Sequence, residues 1–201
     1  MQQRLRSGAF NPANWYLTLG LGLLGASLWL PWWTAQRTAR IERRADQICQ
    51  LLLEAACDLL VPIDDTTVEF VFARLQAGTA AEGVQVADLE RQEPLPGALL
   101  TLRNKHFLFG LFPAEPEPNQ RIGEGSVPAL EVYAWPASRL GPGHSAFFAA
   151  EDAPRAFTRN LARDYHGAKV APTRSSGQRP VRGQDLGGSY RGIDDERWLL
   201  H

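Results

Sequence analysis

Residues 15 to 33 read Trp-Tyr-Leu-Thr-Leu-Gly-Leu-Gly-Leu-Leu-Gly-Ala-Ser-Leu-Trp-Leu-Pro-Trp-Trp, nineteen positions without a charge in a chain where 21% of residues are charged. That length matches the roughly 20 residues a helix needs to cross the hydrocarbon core of a bilayer. Trp15 and Tyr16 stand at one end of the run, and Trp29, Trp32 and Trp33 at the other. Amphipathic rings settle at the two headgroup layers in this way, so these five residues are the expected membrane anchor. A secretory signal peptide is the alternative. Its apolar region is shorter and ends at small residues, whereas this run ends in Pro31-Trp32-Trp33 and a helical pattern continues past it. A buried core helix would leave the aromatic clustering at both ends unexplained.

The second half of the N-terminal region has a different pattern. Ile41, Ile48, Leu52, Ala55 and Leu59 recur on one helical stripe, with Arg37, Arg40, Glu42, Arg43 and Arg44 supplying a polar face. Pro31 is expected to kink the helix or mark its exit from the membrane, and Pro62 to stop the amphipathic part. Cys49 and Cys57, on one helix, lie about 12 Å apart along the axis, too far for a disulfide with each other. They are expected to be free thiols packed as small apolar residues, or intermolecular links.

The 168 residues after the apolar run suffice for one compact domain. A net charge of −1 makes no electrostatic case for nucleic acid as a partner. The stretch from Asp64 reads two ways: Thr66 and Glu69 have capping-box spacing and Val68, Val71, Phe72 and Leu75 follow a helical period, while Val68, Phe70 and Phe72 also alternate as in a strand; a short helix with Gly78 as its C-cap is the favoured reading. A short strand is possible at 84–86. Ala98–Leu102 and His106–Phe112 flank a plausible hairpin turn at Arg103-Asn104-Lys105. Residues 113–128, with four prolines and two glycines, read as loop. In 130–135, Leu130, Val132 and Ala134 alternate with Glu131, Tyr133 and Trp135. His144–Ala149 is a further strand, and 155–166 is a strand or a short helix. From about 170 the composition is too poor in apolar residues to order itself alone, although Tyr190 to Leu200 carries enough to dock on something.

The expected fold class is therefore α+β. A long N-terminal helix, half transmembrane and half amphipathic, packs on a small antiparallel sheet and is followed by an extended C-terminal tail. The expected parts are a polar basic leader over 1–14, the transmembrane helix over 15–33, the amphipathic helix over 34–62, the α+β domain over 63–168 and a Gly-, Pro- and Arg-rich tail over 169–201.

This layout resembles type IV pilin-like and pseudopilin-like proteins. Arg4, Arg6 and Gly8 ahead of Phe10 look like a prepilin leader, with cleavage near Gly8, Ala9 and Phe10. Pro31 follows Phe10 by twenty-one residues, close to the helix-kinking proline of many pilins. Phe107–Phe112, Val132–Pro136, Gly141–Gly143 and Ser145–Phe148 resemble the aromatic hairpin, strand, glycine turn and aromatic strand of sheet-forming members. Two positions depart from the pattern: Ala9 separates Gly8 from Phe10, and Asn14 stands where pilins carry a glutamate. The resemblance implies a bacterial inner-membrane protein with its C-terminal domain outside the cytoplasm. The excess of arginines after the apolar run, set against Arg4 and Arg6 before it, argues for the opposite orientation.

The chemistry-bearing residues form no enzyme motif. His106, His144, His166 and His201 are scattered, Ser145 lies outside any nucleophile elbow, and Gly183–Gly188 follows no strand. No catalytic residue and no cofactor is expected, and the protein is read as non-enzymatic. The resemblance implies one metal candidate, a calcium site at Asp185, Asp194, Asp195 and Glu196. The plainer reading of those acids is solvated or paired with Arg191 and Arg197. Gly20, Gly22 and Gly25 permit close helix packing. The aromatics of 107–112 and 133–135 either form a binding face or pack the sheet. The expected partners are the lipid bilayer, other membrane or envelope proteins and other copies of the chain, with no nucleic acid. The expected role is assembly of a secretion-type or envelope complex, or service as an accessory subunit of a larger membrane complex.

Overall fold

The computed structural model describes residues 12–58, 65–81, 88–114, 129–151, 153–179 and 188–200. The chain divides into two compact units, residues 1–38 and 39–201.

Helix α1 runs without interruption over Pro12–Cys57, with Pro31 inside it. In the first unit it is the only described element, and no face of it is buried between Leu19 and Trp33. Its amphipathic half belongs to the second unit and behaves as the stripe predicts. Ala45, Ile48, Cys49, Leu52, Ala55 and Ala56 are buried, while Arg40, Arg43 and Arg44 face solvent. The helix ends at Cys57, before Pro62 is reached.

Helix α2 spans Asp65–Ala81. It continues through Gly78 instead of stopping there, because Thr79, Ala80 and Ala81 remain helical. Val68, Val71 and Leu75, at i, i+3 and i+7, form its buried stripe.

Eight strands follow: β1 Glu90–Gln92, β2 Leu100–Arg103, β3 Phe107–Pro113, β4 Leu130–Pro136, β5 Ala146–Ala150, β6 Ala153–Thr158, β7 Ser189–Arg191 and β8 Arg197–Leu200. They form one antiparallel sheet in the order β1-β2-β3-β4-β5-β6-β8-β7. The first six strands each pair antiparallel with the next in sequence, through five connections, as apolar runs separated by turns favour. Asn104 makes the β2–β3 turn: its Oδ1 accepts the backbone N–H groups of His106 (2.8 Å) and Phe107 (2.7 Å). The possible strand at 84–86 lies outside the described residues.

Both faces of the sheet are covered. On one, α1 and α2 pack over Leu100, Leu102, Phe109, Leu111, Val132 and Ala134. On the other, Phe112, Tyr133, Trp135, Phe148, Tyr190 and Trp198 form an aromatic core. Tyr133 and Phe148 lie 5.1 Å apart by ring centroids, and Trp198 meets Phe148 edge-on at 5.9 Å. The predicted aromatic residues thus pack the sheet on both sides.

The C-terminal region departs from the expectation of an extended tail. Strands β7 and β8 join the sheet, with Trp198 fully buried and Tyr190 nearly so. Composition over 170–200 hides this, since two large aromatic residues placed on a preformed sheet outweigh many small polar neighbours.

Candidate functional site

The most exposed apolar surface in the described chain is the first half of α1. Trp15, Tyr16, Leu19, Leu21, Leu23, Leu24, Leu28, Trp29, Leu30, Trp32 and Trp33 are all large and all exposed, Leu28 at 76%. At about 100° per residue they point in every direction around the axis. Covering such side chains is worth about 1.5–3 kcal/mol each, so the set represents on the order of 20 kcal/mol awaiting an apolar environment. A patch of this size marks an interaction surface.

Its polar atoms are satisfied locally. Thr18 Oγ1 donates to Trp15 O (3.2 Å), Ser27 Oγ to Leu24 O (2.8 Å) and Thr34 Oγ1 to Pro31 O (2.9 Å). Each hydroxyl reaches a carbonyl one turn back, the way a hydroxyl is accommodated where water is absent. At the far end Trp29 and Trp33 stack with centroids 6.2 Å apart, and the guanidinium of Arg37 lies 5.7 Å above the Trp33 ring. The apolar run thus closes with an aromatic pair capped by a cation. The sequence presents Arg37 only as one of four arginines; its i+4 spacing from Trp33 is the signal that pairs them.

Gly22 and Gly25 are three residues apart and share a side of the helix, while Gly20 faces nearly the opposite way. A Cβ at any of the three would meet nothing within 4 Å. No helix among the described residues is long and apolar enough to cross a membrane by mean hydropathy. The possible cleavage residues Gly8, Ala9 and Phe10 lie outside the described residues.

In the second unit, the acids proposed for calcium are separated by function. Asp185 lies outside the described residues. Glu196 is buried and accepts hydrogen bonds from Thr158 Oγ1 (2.8 Å), Ala162 N (2.9 Å) and Arg163 N (2.8 Å). Asp194 accepts from the Tyr165 hydroxyl and from Glu196 N (3.0 Å). Asp195 is exposed and pairs with Arg191 at 2.7 Å. Among the described residues no group of three or more His, Cys, Asp or Glu is placed to hold a metal ion. Burial, then the Asp194 hydrogen bond and charge, push the Tyr165 hydroxyl upward.

A second buried polar cluster was not legible as such. Glu131 of β4 is fully buried. Its Oε1 accepts Ser175 N (2.5 Å), and its Oε2 accepts the Tyr133 hydroxyl (3.4 Å) and Gln178 Nε2 (3.3 Å). Burial raises its pKa to about 7, against the opposing pull of those three hydrogen bonds and the Arg174 charge. Burial, then the Glu131 charge, raise Tyr133 well above the usual phenol range.

Cys49 and Cys57 are not joined in a disulfide. Cys49 is a core residue whose Sγ lies 3.5 Å from Val132 O; burial and then the Asp46 charge hold its thiol well above the ordinary value. His144 is exposed and His166 half-buried. The Ser145 and His144 amides both donate to Glu42 Oε1 (3.1 Å each) and pin this turn to α1.

No protein-family model, curated protein or solved structure matches the chain.

Proposed function

We propose that this protein is a non-enzymatic, single-pass membrane component, pilin-like in layout, that acts by assembling with other membrane or envelope proteins. The observation that carries the reading is the apolar surface of α1 between Trp15 and Trp33, exposed on every side of the helix. A soluble partner would leave one side uncovered. A bilayer covers all sides at once, and nineteen uncharged residues are about as long as the hydrocarbon core is thick. The tryptophans, tyrosine, glycines and proline that depress the mean hydropathy are residue types that membrane helices use at interfaces and packing faces. The self-satisfied hydroxyls at Thr18 and Ser27 and the Arg37–Trp33 contact at the boundary support the same reading. The α+β domain, with an amphipathic helix laid on an antiparallel sheet, supports the pilin-like layout.

The test is fractionation of the full-length protein expressed in a bacterium, followed by alkaline carbonate extraction. The wild type should stay with the membrane. A Leu24→Arg variant, whose charge at the helix centre costs about 2.5–3.5 kcal/mol of insertion, should shift toward the soluble or aggregated fraction. Release of the wild type by carbonate would sink the membrane reading. The intact mass of the membrane-extracted chain then tests the pilin-like part: a start at Ala9 or Phe10 supports it, and a chain retaining residues 1–8 overturns leader processing.

A further inference from the structure

We propose that the loops at one end of the sheet dock on the surface of an anionic bilayer. A lipid phosphate is held between Arg139 and Arg159, and Leu140, Leu161 and Ile193 enter the headgroup layer. This docking rests on the membrane reading of α1 and adds to it a second contact, made by the α+β domain.

Strand register brings the parts together. Arg103 of β2 stands opposite Leu108, Phe107 opposite Pro136, Ala146 opposite Thr158 and Arg191 opposite Arg197. The connections that leave these positions, 104–106, 137–145, 159–165 and 192–196, therefore share one end of the sheet. Large apolar side chains are exposed at four described positions of this unit. One is Phe70 on α2; the others, Leu140 (96%), Leu161 (82%) and Ile193 (60%), stand on three different connections at this end. A single exposed leucine is ordinary, but three gathered from separate loops mark an interaction surface.

The charge at this end is positive where it meets solvent. Asp164 is paired with Arg139 (2.9 Å) and Asp195 with Arg191 (2.7 Å). Asp194 and Glu196 accept hydrogen bonds from within the fold. Lys105, Arg159 and Arg163 are exposed. A cavity of about 180 Å³ lies among the loops, and its lining includes Arg139, His144, Arg159, Leu161 and Asp164. Two guanidinium groups against one carboxylate leave it a net positive charge, and guanidinium forks match phosphate oxygens.

The chain also enters this unit at the same end. Glu42 of α1 accepts the His144 and Ser145 amides there, and Cys49, two turns later, lies beside Val132 further along β4. Ala39 follows Trp33 by six residues, which span at most about 20 Å even when fully extended. The point of entry is thus tethered close to the end of the apolar run. That continuity selects a lipid surface as the occupant. The outward cations select anionic lipid, and the loop leucines add apolar contact at the headgroup boundary.

Amide hydrogen exchange of the full-length protein in nanodiscs, one copy per disc, tests this. Discs of phosphatidylcholine alone are compared with discs that also hold about 30% phosphatidylglycerol, at low salt. Peptides covering 138–143 and 160–163 should exchange about tenfold more slowly in the anionic discs, and the difference should vanish at about 0.5 M salt. Arg159→Gln should cut the added protection about fivefold, the weight of one cation at an anionic surface. Leu140→Ser combined with Leu161→Ser alters only exposed side chains and should remove most of it. Equal exchange in the two kinds of disc, or protection that survives these substitutions, overturns the docking and leaves the membrane anchor standing, because the protein is still held in the disc. A chain that cannot be reconstituted into discs overturns both. Protection seen in native membranes but absent from anionic discs assigns this face to a protein partner and also overturns the docking.

Discussion

Thr158, the last residue of β6, donates its hydroxyl to Glu196 Oε1 at 2.8 Å, across a sequence gap of 38 residues. The other carboxylate oxygen takes the amides of Ala162 and Arg163. One buried side chain just ahead of β8 thus fixes the loop that leaves β6. Truncation by Glu196→Ala leaves several donors without a partner inside the fold, each costing about 1–3 kcal/mol. The thermal midpoint, followed by near-ultraviolet circular dichroism, should drop by several degrees or more, whereas Asp195→Ala, which removes only an exposed pair, should change it little. Equal effects of the two substitutions would contradict the assignment.

The course of α1 was readable because its two signals, a charge-free run and an apolar stripe ending near Leu59, are local. The hairpin at Asn104 and the strand at 130–135 were readable for the same reason. The rest depends on contacts distant in sequence. Strand β1 has three polar residues and no alternation, and exists because β2 offers it an edge. Glu131 and Tyr133 look like the wetter side of a strand, but a segment more than forty residues later bonds to them, and Trp135 reaches Gly167. The acids of the presumed metal group look alike in sequence; burial separates Glu196 from Asp195.

The pH dependence of stability should carry the mark of Glu131. Its pKa is about 7 in the folded domain against an ordinary 4.5, so the folded state holds the proton more tightly than the unfolded chain. Stability from this group is full below about pH 4.5, falls as the pH rises toward 7 and is level above that. The change amounts to about 3 kcal/mol. Denaturation of the wild type and of Glu131→Gln at a series of pH values should show the difference between them shrinking or reversing in the wild type's disfavour across this window. A constant difference would show that Glu131 does not titrate there.

Gly177 should tolerate no side chain. A Cβ there would lie 2.7 Å from Cγ of Phe148, and Phe148 is held between Tyr133 and Trp198. Both backbone polar atoms of Gly177 are also engaged, so the glycine cannot back away. Gly177→Ala should cost about 1–3 kcal/mol through overpacking and should speed amide exchange at the neighbouring Ser175. Gly97→Ala is the comparison: its Cβ would meet nothing within 4 Å, and any loss there comes from its φ of 81° alone. Wild-type exchange at Ser175 in Gly177→Ala would show that the close approach to Phe148 is not limiting.

The glycines of α1 make a prediction about assembly that depends on which side of the helix they occupy. Gly22 and Gly25 open one side to close approach by another helix, and Gly20 lies almost opposite. In a bilayer, helices associate through backbone proximity at small residues, since lipid covers leucine as well as protein does. A leucine at Gly22 or Gly25 would therefore block a packing face, whereas one at Gly20 would only add lipid contact. All three substitutions leave the helix itself unhindered, because no neighbouring atom lies within 4 Å of the added Cβ. If the protein works by assembly through this face, Gly22→Leu and Gly25→Leu should lose partners, or self-association, in cross-linking and co-purification from the membrane, and Gly20→Leu should keep them. Loss only in Gly20→Leu would move the interface to the other side of the helix, and complexes unchanged in all three would remove the glycines from assembly altogether.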